Sequence, residues 1–464
     1  MFIGRQHETS LLEELFNKKD GKLIVIYGRR RIGKSELMHH YLQNKTHLYI
    51  DGLEGEHTPK QIENFINQIS HQLKNQFLKN TKFKTWFEVF QYLTEHIFNE
   101  NKKFVLALDE FQWMAAGQSK LINQIKSFWD TYWKKSGVQL ILCGSIAHFM
   151  VKKVIHSKAL YGRIDLEILL EGLTPNEVTK LIPNKDPQEI LRYSLIFNGV
   201  PKYYEVLDKN LSFEKNLNKH CFSKNSFFFT EIKKIFYSQF KEHSTYKKIA
   251  QLLAQKNYTL EELAKKLKIS SGGSLKSYLE NLELSGFVKS YRNTITQSKK
   301  GQKYKLVDPF LKFYYSQILP HENIISNNIG SDIYFRLVKP QINPWMGLAF
   351  ENFCILNSRK IAILLGIENL TTYSGPVFSP TEGVQFDLVF IRNDKTITLC
   401  EIKYHSSPVS TIVVKEFSEK LKKFKAPKGF SIEKVLIASN GVDKNLSELC
   451  FFEQIITGND FFKN

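Results

Sequence analysis

Short runs of apolar residues recur through the first part of the chain, and stretches with apolar residues at helical spacing separate them. The runs lie near 23–27, 47–51, 104–108, 139–143 and 165–170. Their alternation with helical stretches is typical of a mostly parallel sheet with crossover helices. We therefore predict an α/β domain with a helical extension over residues 1–215.

A different pattern occupies the middle of the chain. Short amphipathic helices are predicted over 246–253, 259–267 and 274–284, and a strand over 286–291 is predicted to pair with 304–307. Helices followed by such a strand pair are typical of a winged helix. We predict this helical and winged-helix segment over residues 216–304.

Two uses of this segment remain open. Its third helix carries the donors Lys276 and Asn281, which could contact DNA, but also Glu280 and Glu283. The following strands are rich in positive charge, which favours contact with a nucleic-acid backbone. The basic residues there are Lys289, Arg292, Lys299, Lys300, Lys303 and Lys305. Because a fold does not decide a function, DNA binding and a packing or regulatory role between two larger domains both remain open.

Two further strands are predicted near the C-terminus, over 386–391 and 396–403, and the turn between them makes a hairpin. Residues two apart in a strand share a face, so Glu401 and Lys403 point the same way, and the hairpin brings Asp387 alongside. Two carboxylates and a lysine on one face indicate a Mg²⁺ site. The alternative is an exposed hairpin with alternating charges.

Composition sets the broad class of protein. A chain of 464 residues with 42% apolar residues suggests several folded domains, and its cysteines form no C-x-x-C pair that would indicate zinc or a disulfide framework. Charges near the N-terminus argue against a signal peptide, and no apolar run is long enough to span a membrane. We therefore expect a cytoplasmic protein. A net charge of +19 favours polyanionic partners such as nucleic acid, although a generally lysine-rich proteome would give the same charge.

The first apolar run leads into Gly28–Ser35, which fits the phosphate-binding loop pattern G-x-x-x-x-G-K-[ST]. A strand, a loop between glycines and a helix direct several backbone N–H groups at one point, which suits a triphosphate. Lys34 would reach the β and γ phosphates, and the Ser35 hydroxyl would hold Mg²⁺. Gly28 and Gly33 allow backbone torsions that a Cβ would oppose. ATP and Mg²⁺ are the predicted cofactors.

The next apolar strands end in residues that suit hydrolysis. Asp109 would hold Mg²⁺ through water and Glu110 would polarise the attacking water, although an ordinary acidic turn is the alternative. Ser145 could contact the γ-phosphate or the water, as a sensor 1 residue does, or it could cap the following helix. Arg163 is a candidate arginine finger or a plain surface arginine.

These features together resemble the P-loop ATPases of the AAA-related, STAND-like group that is common in archaea and bacteria. The resemblance covers about residues 1–215 and rests on the motifs FIGR, GRRRIGKS, LDEFQW, CGS, YGR and NGVP. It implies that Gly4 and Arg5 lie beside the nucleotide. It also implies contacts from Arg29, Arg30, Arg31, Ile32 and Glu36 in and after the loop. Asn198 stands where the family pattern leads us to expect a glycine before Gly199.

Proteins of this group often carry a C-terminal domain resembling the PD-(D/E)xK nucleases, which here would be an α/β domain over about 305–464. The resemblance implies that Asp387 and Glu401 hold Mg²⁺, that Lys403 assists catalysis and that Glu351 is the helical glutamate of the site. Gln385 stands where an acid is expected.

The sequence as a whole predicts an ATPase that couples nucleotide binding or hydrolysis to nucleic-acid binding and to Mg²⁺-dependent DNA cleavage. The alternative is a nucleotide switch or scaffold that binds a protein or DNA partner without nuclease activity. Homo-oligomerisation is left open, and no membrane partner is expected.

Overall fold

The computed structural model describes residues 2–98, 103–117, 119–240, 242–270, 272–291, 302–327, 329–379 and 383–463. The backbone divides into two compact units, Met1–Gly172 and Leu173–Asn464. We call them the N-terminal unit and the C-terminal unit. The predicted domain boundary after residue 215 remains a prediction.

The N-terminal unit is built on a five-stranded parallel sheet with the order β2-β3-β4-β1-β5. Its strands are β1 Lys22–Tyr27, β2 His47–Asp51, β3 Phe104–Asp109, β4 Val138–Gly144 and β5 Ile164–Leu169. The central strands β3 and β4 are buried along their whole length, whereas the edge strand β2 alternates between buried and more exposed positions and the edge strand β5 is buried only at Ile168. This is the burial expected of a parallel sheet covered on both faces, and it confirms the predicted α/β fold.

Helices connect these strands. They are α1 Gln6–Phe16, α2 Lys34–Leu42, α3 Thr58–Gln72, α4 Gln76–Asn80, α5 Trp86–His96, α6 Phe111–Met114, α7 Leu121–Phe128 and α8 Ala147–Phe149. Two π-helical segments, Trp129–Trp133 and Met150–Ile155, extend α7 and α8.

Helix α3 covers the open edge of strand β2 with side-chain amides. Gln72 bonds the backbone N–H and carbonyl of Tyr49 at 3.0 and 2.7 Å, and Gln68 does the same for Asp51 at 2.9 and 2.8 Å. These amides take the place of a neighbouring strand, so the edge is closed to further strand pairing.

The C-terminal unit contains two sheets and a larger set of helices. Its strands are β6 Tyr258–Thr259, β7 Val288–Tyr291, β8 Lys303–Leu306, β9 Thr371–Ser379, β10 Val384–Arg392, β11 Thr396–Lys403, β12 Ser431–Ala438 and β13 Gln454–Thr457. Its α-helices are α9 Pro175–Thr179, α10 Pro187–Phe197, α11 Pro201–Val206, α12 Phe213–Cys221, α13 Phe227–Gln239, α14 His243–Gln255, α15 Leu260–Leu267, α16 Gly273–Leu284, α17 Pro309–Phe313, α18 Glu322–Ser326, α19 Ile342–Leu356, α20 Ser358–Leu364, α21 Ile412–Lys423 and α22 Lys444–Glu448.

Short π and 3₁₀ segments complete this unit. They are Tyr314–Ile318, Leu319–His321, Tyr334–Val338, Lys339–Gln341, Glu368–Leu370 and Gly458–Phe462. Each helix in the described part of the chain is too short or too polar to cross a lipid bilayer.

The backbone before α11 explains a departure from the family pattern. Asn198 has φ 50° and ψ −143°, a conformation that favours glycine, so this asparagine adopts the torsions for which a glycine was expected. Gly199 follows, and a Cβ there would lie 1.9 Å from the Leu173 carbonyl oxygen. Only glycine allows this close approach.

The three-stranded antiparallel sheet has the order β6-β8-β7 and lies with α14, α15 and α16. Val288 pairs with Leu306 and Tyr291 with Lys303, so the predicted strand pair is confirmed. The predicted domain boundary between 304 and 305 falls inside β8. Arg292, Lys299 and Lys300 lie outside the described residues.

The second sheet is mixed and has the order β13-β12-β11-β10-β9. Strands β9, β10 and β11 are antiparallel, and β12 and β13 continue the sheet in parallel with β11. The predicted hairpin is therefore confirmed as β10 and β11. Helix α19 packs against both of these strands, and α21 forms the crossover from β11 to β12.

Candidate functional site

The loop after β1 has the backbone of a phosphate cradle. Gly28 has φ 157°, and a Cβ there would meet the Leu170 carbonyl oxygen at 2.4 Å, so the position requires glycine. Gly33 has φ 93° and immediately precedes α2, which begins at Lys34. The loop therefore ends at the positive end of a helix, where anions bind favourably.

Lys34 is 6% exposed, and its ammonium donates to the carbonyl oxygens of Gly28 and Arg29 at 3.1 and 3.0 Å. Its charge is thus held at the mouth of the loop by groups that carry no charge of their own. A phosphate that enters the loop would compete with these two neutral acceptors for the ammonium.

Arg5 is buried and connects the N-terminal segment to the loop. Its Nη2 donates to the Ile32 carbonyl oxygen at 2.9 Å and to the Glu171 carbonyl oxygen at 2.7 Å, and its Nη1 pairs with Glu8 at 3.2 Å. Gly4 and Arg5 both have positive φ, 73° and 66°. The predicted nucleotide neighbour Arg5 therefore contacts the loop backbone directly.

The remaining predicted loop contacts differ in exposure. Ile32 and Gly28 are buried, whereas Arg30 and Glu36 are exposed. Arg31 has φ 70°, which is unusual for a residue with a side chain.

Asp109 ends β3 and is 2% exposed. The hydroxyls of Ser35 and Tyr49 both donate to its Oδ2 at 2.6 Å. The Glu110 backbone N–H donates to Oδ1 at 2.8 Å. A hydroxyl and a carboxylate in direct contact offer the hard oxygen ligands that Mg²⁺ takes, so these residues fit that ion.

Burial and the charge of Asp109 together raise the pKa of the Tyr49 hydroxyl above its ordinary value. Tyr49 therefore stays protonated and acts as a donor to Asp109. Sequence inspection missed this residue. In the sequence Tyr49 is only part of the apolar run 47–51, and its contact with Asp109 follows from the pairing of β2 with β3 in the structure.

Glu110 follows Asp109 with φ 47°, at the start of α6. The Ser145 hydroxyl donates to Glu110 Oε2 at 2.8 Å, and the Gln112 amide donates to the same oxygen. Helix α8 begins with Ile146 at its N-cap and has no side-chain cap. Ser145 thus bonds the predicted catalytic glutamate instead of capping the helix.

Arg163 forms a bidentate pair with Asp130, with Nε–Oδ1 and Nη2–Oδ2 distances of 2.7 and 2.8 Å. The guanidinium and the carboxylate are each about one-third exposed or less. A role of Arg163 as an arginine finger would require this pair to open.

The predicted carboxylates of the C-terminal unit lie near one another. Glu401 is 3% exposed. The ammonium of Lys420, on α21, bonds both of its carboxylate oxygens at 3.0 and 2.7 Å. The Lys403 ammonium lies 3.3 Å from Glu401 Oε1 and 2.7 Å from Glu416 Oε2. Burial would lower the pKa of Lys403, but these two carboxylates outweigh it and raise the pKa.

Glu351, on α19, is partly buried close to these groups. Burial and the charge of Asp387 raise its pKa to about 7, against the opposing influence of Lys305 and Lys312. Burial in turn lowers the pKa of Lys305 and lowers that of Lys312 well below its ordinary value. A carboxyl and two amines that are all poorly solvated therefore lie side by side.

Asp387 accepts a hydrogen bond from the Gln385 amide at 3.0 Å. The residue where an acid was expected thus serves as a neutral donor to its neighbour. A cavity of about 320 Å³ opens beside Asp387, and Glu419, Lys420 and Lys423 also line it.

The described residues contain no group of three His, Cys, Asp or Glu side chains arranged to hold a metal ion. The predicted metal roles of Ser35, Asp109, Glu351, Asp387 and Glu401 stay predictions. No role was predicted from the sequence for Lys420, which belongs to no motif, or for Gln112, which lies in the LDEFQW motif but was not among the predicted site residues.

Residues 2–193 match a family of ATPase domains found predominantly in Archaea. An uncharacterized protein of Methanocaldococcus jannaschii is 27% identical over 410 residues, which cover 87% of this chain and 88% of that protein. A second protein of the same organism, described as an uncharacterized ATP-binding protein, is 44% identical over 45 residues. That match covers 10% of this chain and 76% of the relative.

Similar solved structures include a Walker-type ATPase of Pyrococcus abyssi, with a TM-score of 0.49 and 20% identity over 68% of this chain and 96% of that chain. The ORC2 protein of Aeropyrum pernix, in ADPNP and ADP complexes, has a TM-score of 0.44 and 14% identity. It covers 70% of this chain and 95% of its own.

A parallel sheet, a phosphate cradle between β1 and α2 and a matching family define a P-loop ATP hydrolase. The chain carries an ATPase domain of the family found predominantly in Archaea. Membership implies nucleotide binding and, in general, the use of Mg²⁺.

Proposed function

We propose that this protein couples ATP binding and hydrolysis to the binding of nucleic acid. The nucleic-acid site is proposed to lie on the segment of α14, α15, α16 and the β6-β8-β7 sheet, interpreted as a winged helix. The observation that carries this proposal is a set of exposed lysines on consecutive elements of the segment. They are Lys265, Lys266, Lys268, Lys276, Lys289 and Lys303.

Two of the acidic and amide residues of α16 have structural roles. Glu283 accepts from the Ser290 backbone N–H at 2.7 Å and so joins α16 to β7. The Asn281 amide donates to the Tyr246 hydroxyl at 2.7 Å. Lysines bind DNA phosphates, and the Asn281 amide that could have read a base is already bonded to Tyr246. The segment is therefore proposed to bind the phosphate backbone, independently of the DNA sequence.

In the ATP site, the loop N–H groups and Lys34 are proposed to hold the β and γ phosphates. Ser35 and Asp109 would hold Mg²⁺, which supplies neutralisation of phosphate charge when bound. Glu110 is proposed to accept a proton from the attacking water. Ser145 would keep the Glu110 carboxylate in place.

DNA binding can be tested by fluorescence anisotropy with a labelled duplex over a series of salt concentrations. Replacing Lys265, Lys266 and Lys268 by Glu should weaken binding at least about tenfold and reduce the salt dependence, since fewer counterions are released. The matched control replaces the exposed Lys79, Lys82 and Lys84 of the N-terminal unit by Glu, with the same change in charge. Equal loss in both variants would reject the proposed surface.

A second proposed activity is Mg²⁺-dependent cleavage of DNA by the C-terminal mixed sheet. The placement of Asp387, Glu401 and Lys403 on neighbouring strands, with Glu351 beside them and a cavity at Asp387, favours it. The purified protein should cut plasmid DNA with Mg²⁺ or Mn²⁺, and Asp387→Asn should abolish cutting, whereas Glu419→Gln at the cavity rim should not. If the wild type does not cut while ATP hydrolysis and DNA binding persist, the nucleotide-switch alternative is favoured.

A further inference from the structure

We infer that Gln112 is a positioning residue for ATP hydrolysis, which holds the Glu110 carboxylate in the orientation that activates water. The inference deepens the proposed function, because it rests on Glu110 as the acceptor of the proton. Gln112 acts through Glu110 and makes no contact with substrate in this role.

Gln112 lies two residues after Glu110, in the first turn of α6, and is 2% exposed. Its Nε2 donates to Glu110 Oε2 and, at 3.3 Å, lies within reach of the Ser145 hydroxyl. Its Oε1 accepts from the Ser145 backbone N–H at 3.2 Å. Both ends of the amide are therefore committed, one to Glu110 and one to the strand end that carries Ser145.

The surroundings are shaped to admit this amide. A Cβ on Gly144 would lie 2.6 Å from Gln112 Oε1 and 2.5 Å from the Met150 sulfur, so a larger residue would displace the amide. Burying an amide in an apolar place is costly unless its hydrogen bonds are made. Here those bonds converge on a carboxylate at the end of β3, beside Asp109.

These bonds leave one oxygen of the Glu110 carboxylate available to water. Gln112 and Ser145 both donate to Oε2 of Glu110, so among the described residues Oε1 is the oxygen left to receive a proton from water. Two donors on one oxygen also restrict the rotation of the carboxylate. A general base must be held within hydrogen-bond reach of the water, and small misplacements reduce the rate strongly.

The test compares Gln112→Met with Gln139→Met in the full-length protein. Methionine keeps the side-chain length and loses the amide. Gln139 is a matched buried glutamine of the same unit, whose amide bonds Tyr41 and the Leu12 carbonyl and not the candidate site. We expect Gln112→Met to lower kcat about tenfold with unchanged KM and unchanged affinity for a fluorescent ATP analogue. Gln139→Met should leave kcat within twofold of the wild type.

The same substitution in a Glu110→Gln background separates positioning from structure. If Gln112 acts through Glu110, Gln112→Met should cost less than about twofold there, because the interaction it supports is already lost. An undiminished tenfold loss in that background, an equal loss of nucleotide affinity or a rise in kcat would each overturn the inference.

Failure of the proposed role of Glu110, and misfolding of the variant, can each be told apart from failure of the inference about Gln112. If Glu110→Gln alone retains wild-type kcat, the proposed role of Glu110 fails first. If Gln112→Met does not fold by thermal melting, Gln112→Asn keeps the amide but shortens its reach, and the same two comparisons apply.

Discussion

Asp109 in the N-terminal unit and Glu401 in the C-terminal unit are both buried strand carboxylates, but their hydrogen-bond donors differ in charge. Asp109 accepts from the Ser35 and Tyr49 hydroxyls, which are neutral. Glu401 accepts from the ammonium of Lys420 and lies beside that of Lys403.

Neutral donors orient a carboxylate without cancelling its charge, so that charge is still available to attract a divalent cation. Ammonium groups cancel the charge and lie where a cation would bind. A buried acid on a strand therefore indicates a metal site only when its hydrogen-bond donors are neutral and its negative charge remains. By this criterion the ATP site is prepared for Mg²⁺, and the C-terminal cluster must first move a lysine.

The largest effect is expected from removing the charge of the phosphate loop. Lys34→Ala should weaken ATP binding at least about a hundredfold, because the ammonium that meets the β and γ phosphates is lost. Titration with a fluorescent ATP analogue measures this. Lys22→Ala, which removes an ammonium paired with Asp165 in the same unit, is the control and should leave affinity unchanged. Unchanged affinity in Lys34→Ala would contradict the assignment of the loop.

Lys420→Met tests the C-terminal side of the comparison directly. Loss of this ammonium leaves the buried Glu401 carboxylate paired with Lys403 alone among the described residues. Without metal, the free energy of unfolding should therefore fall. We expect a fall of about 2 kcal/mol, less than for a fully buried pair, because Lys420 is partly exposed. Added Mn²⁺ should stabilise the variant more than the wild type, as seen in thermal melting with and without chelator. Equal Mn²⁺ stabilisation of both proteins would show that Lys420 does not compete with a cation.

The two units should also respond oppositely to acid. Burial and nearby Lys152 lower the pKa of His148 to about 4, so the folded N-terminal unit loses stability as pH falls from about 6.5 to about 4. The pKa of Glu351 is raised to about 7, so its contribution is full below about 4.5 and is lost as pH rises through 7.

Each contribution should amount to about 1–2 kcal/mol after solvent screening. Urea unfolding across pH measures it, with His148→Gln and Glu351→Gln as the matched variants. His148→Gln should flatten the acid limb, and Glu351→Gln should flatten the limb toward neutral pH. The interpretation fails if either variant keeps the wild-type slope in its own window.

The smallest effect is expected at the Tyr49 hydroxyl, which links β2 to Asp109 on β3. Tyr49→Phe should raise the Mg²⁺ concentration that gives half-maximal ATP hydrolysis by about fivefold. Asp109 loses one donated hydrogen bond worth about 1 kcal/mol and becomes less well oriented. Tyr132→Phe, at an exposed tyrosine of the same unit, is the control. Hydrolysis with wild-type Mg²⁺ dependence in Tyr49→Phe would remove Tyr49 from the site.

Local sequence patterns predicted the parallel strands of the N-terminal unit, the pairing of β7 with β8 and the hairpin of β10 and β11. They succeeded because apolar runs, turn residues and helical spacing act over short distances. Candidate site residues at strand ends, such as Asp109 and Glu110, were found for the same reason.

The partners of those residues could not be predicted in this way. Tyr49 reaches Asp109 only because β2 lies beside β3 in the sheet. Lys420 reaches Glu401 only because α21, which connects β11 to β12, packs against the mixed sheet. Gln112 was close in sequence to Glu110, yet its importance depends on Gly144 and Ser145 from a different strand.

The sequence by itself determined the phosphate loop, the α/β character of the first unit and the identity of the acids that could bind Mg²⁺, because these follow from residue type and local spacing. Only the tertiary structure decided which donors meet each acid, and whether those donors are neutral or charged. That choice sets how much negative charge remains for a cation, and it depends on side chains brought together from distant parts of the chain.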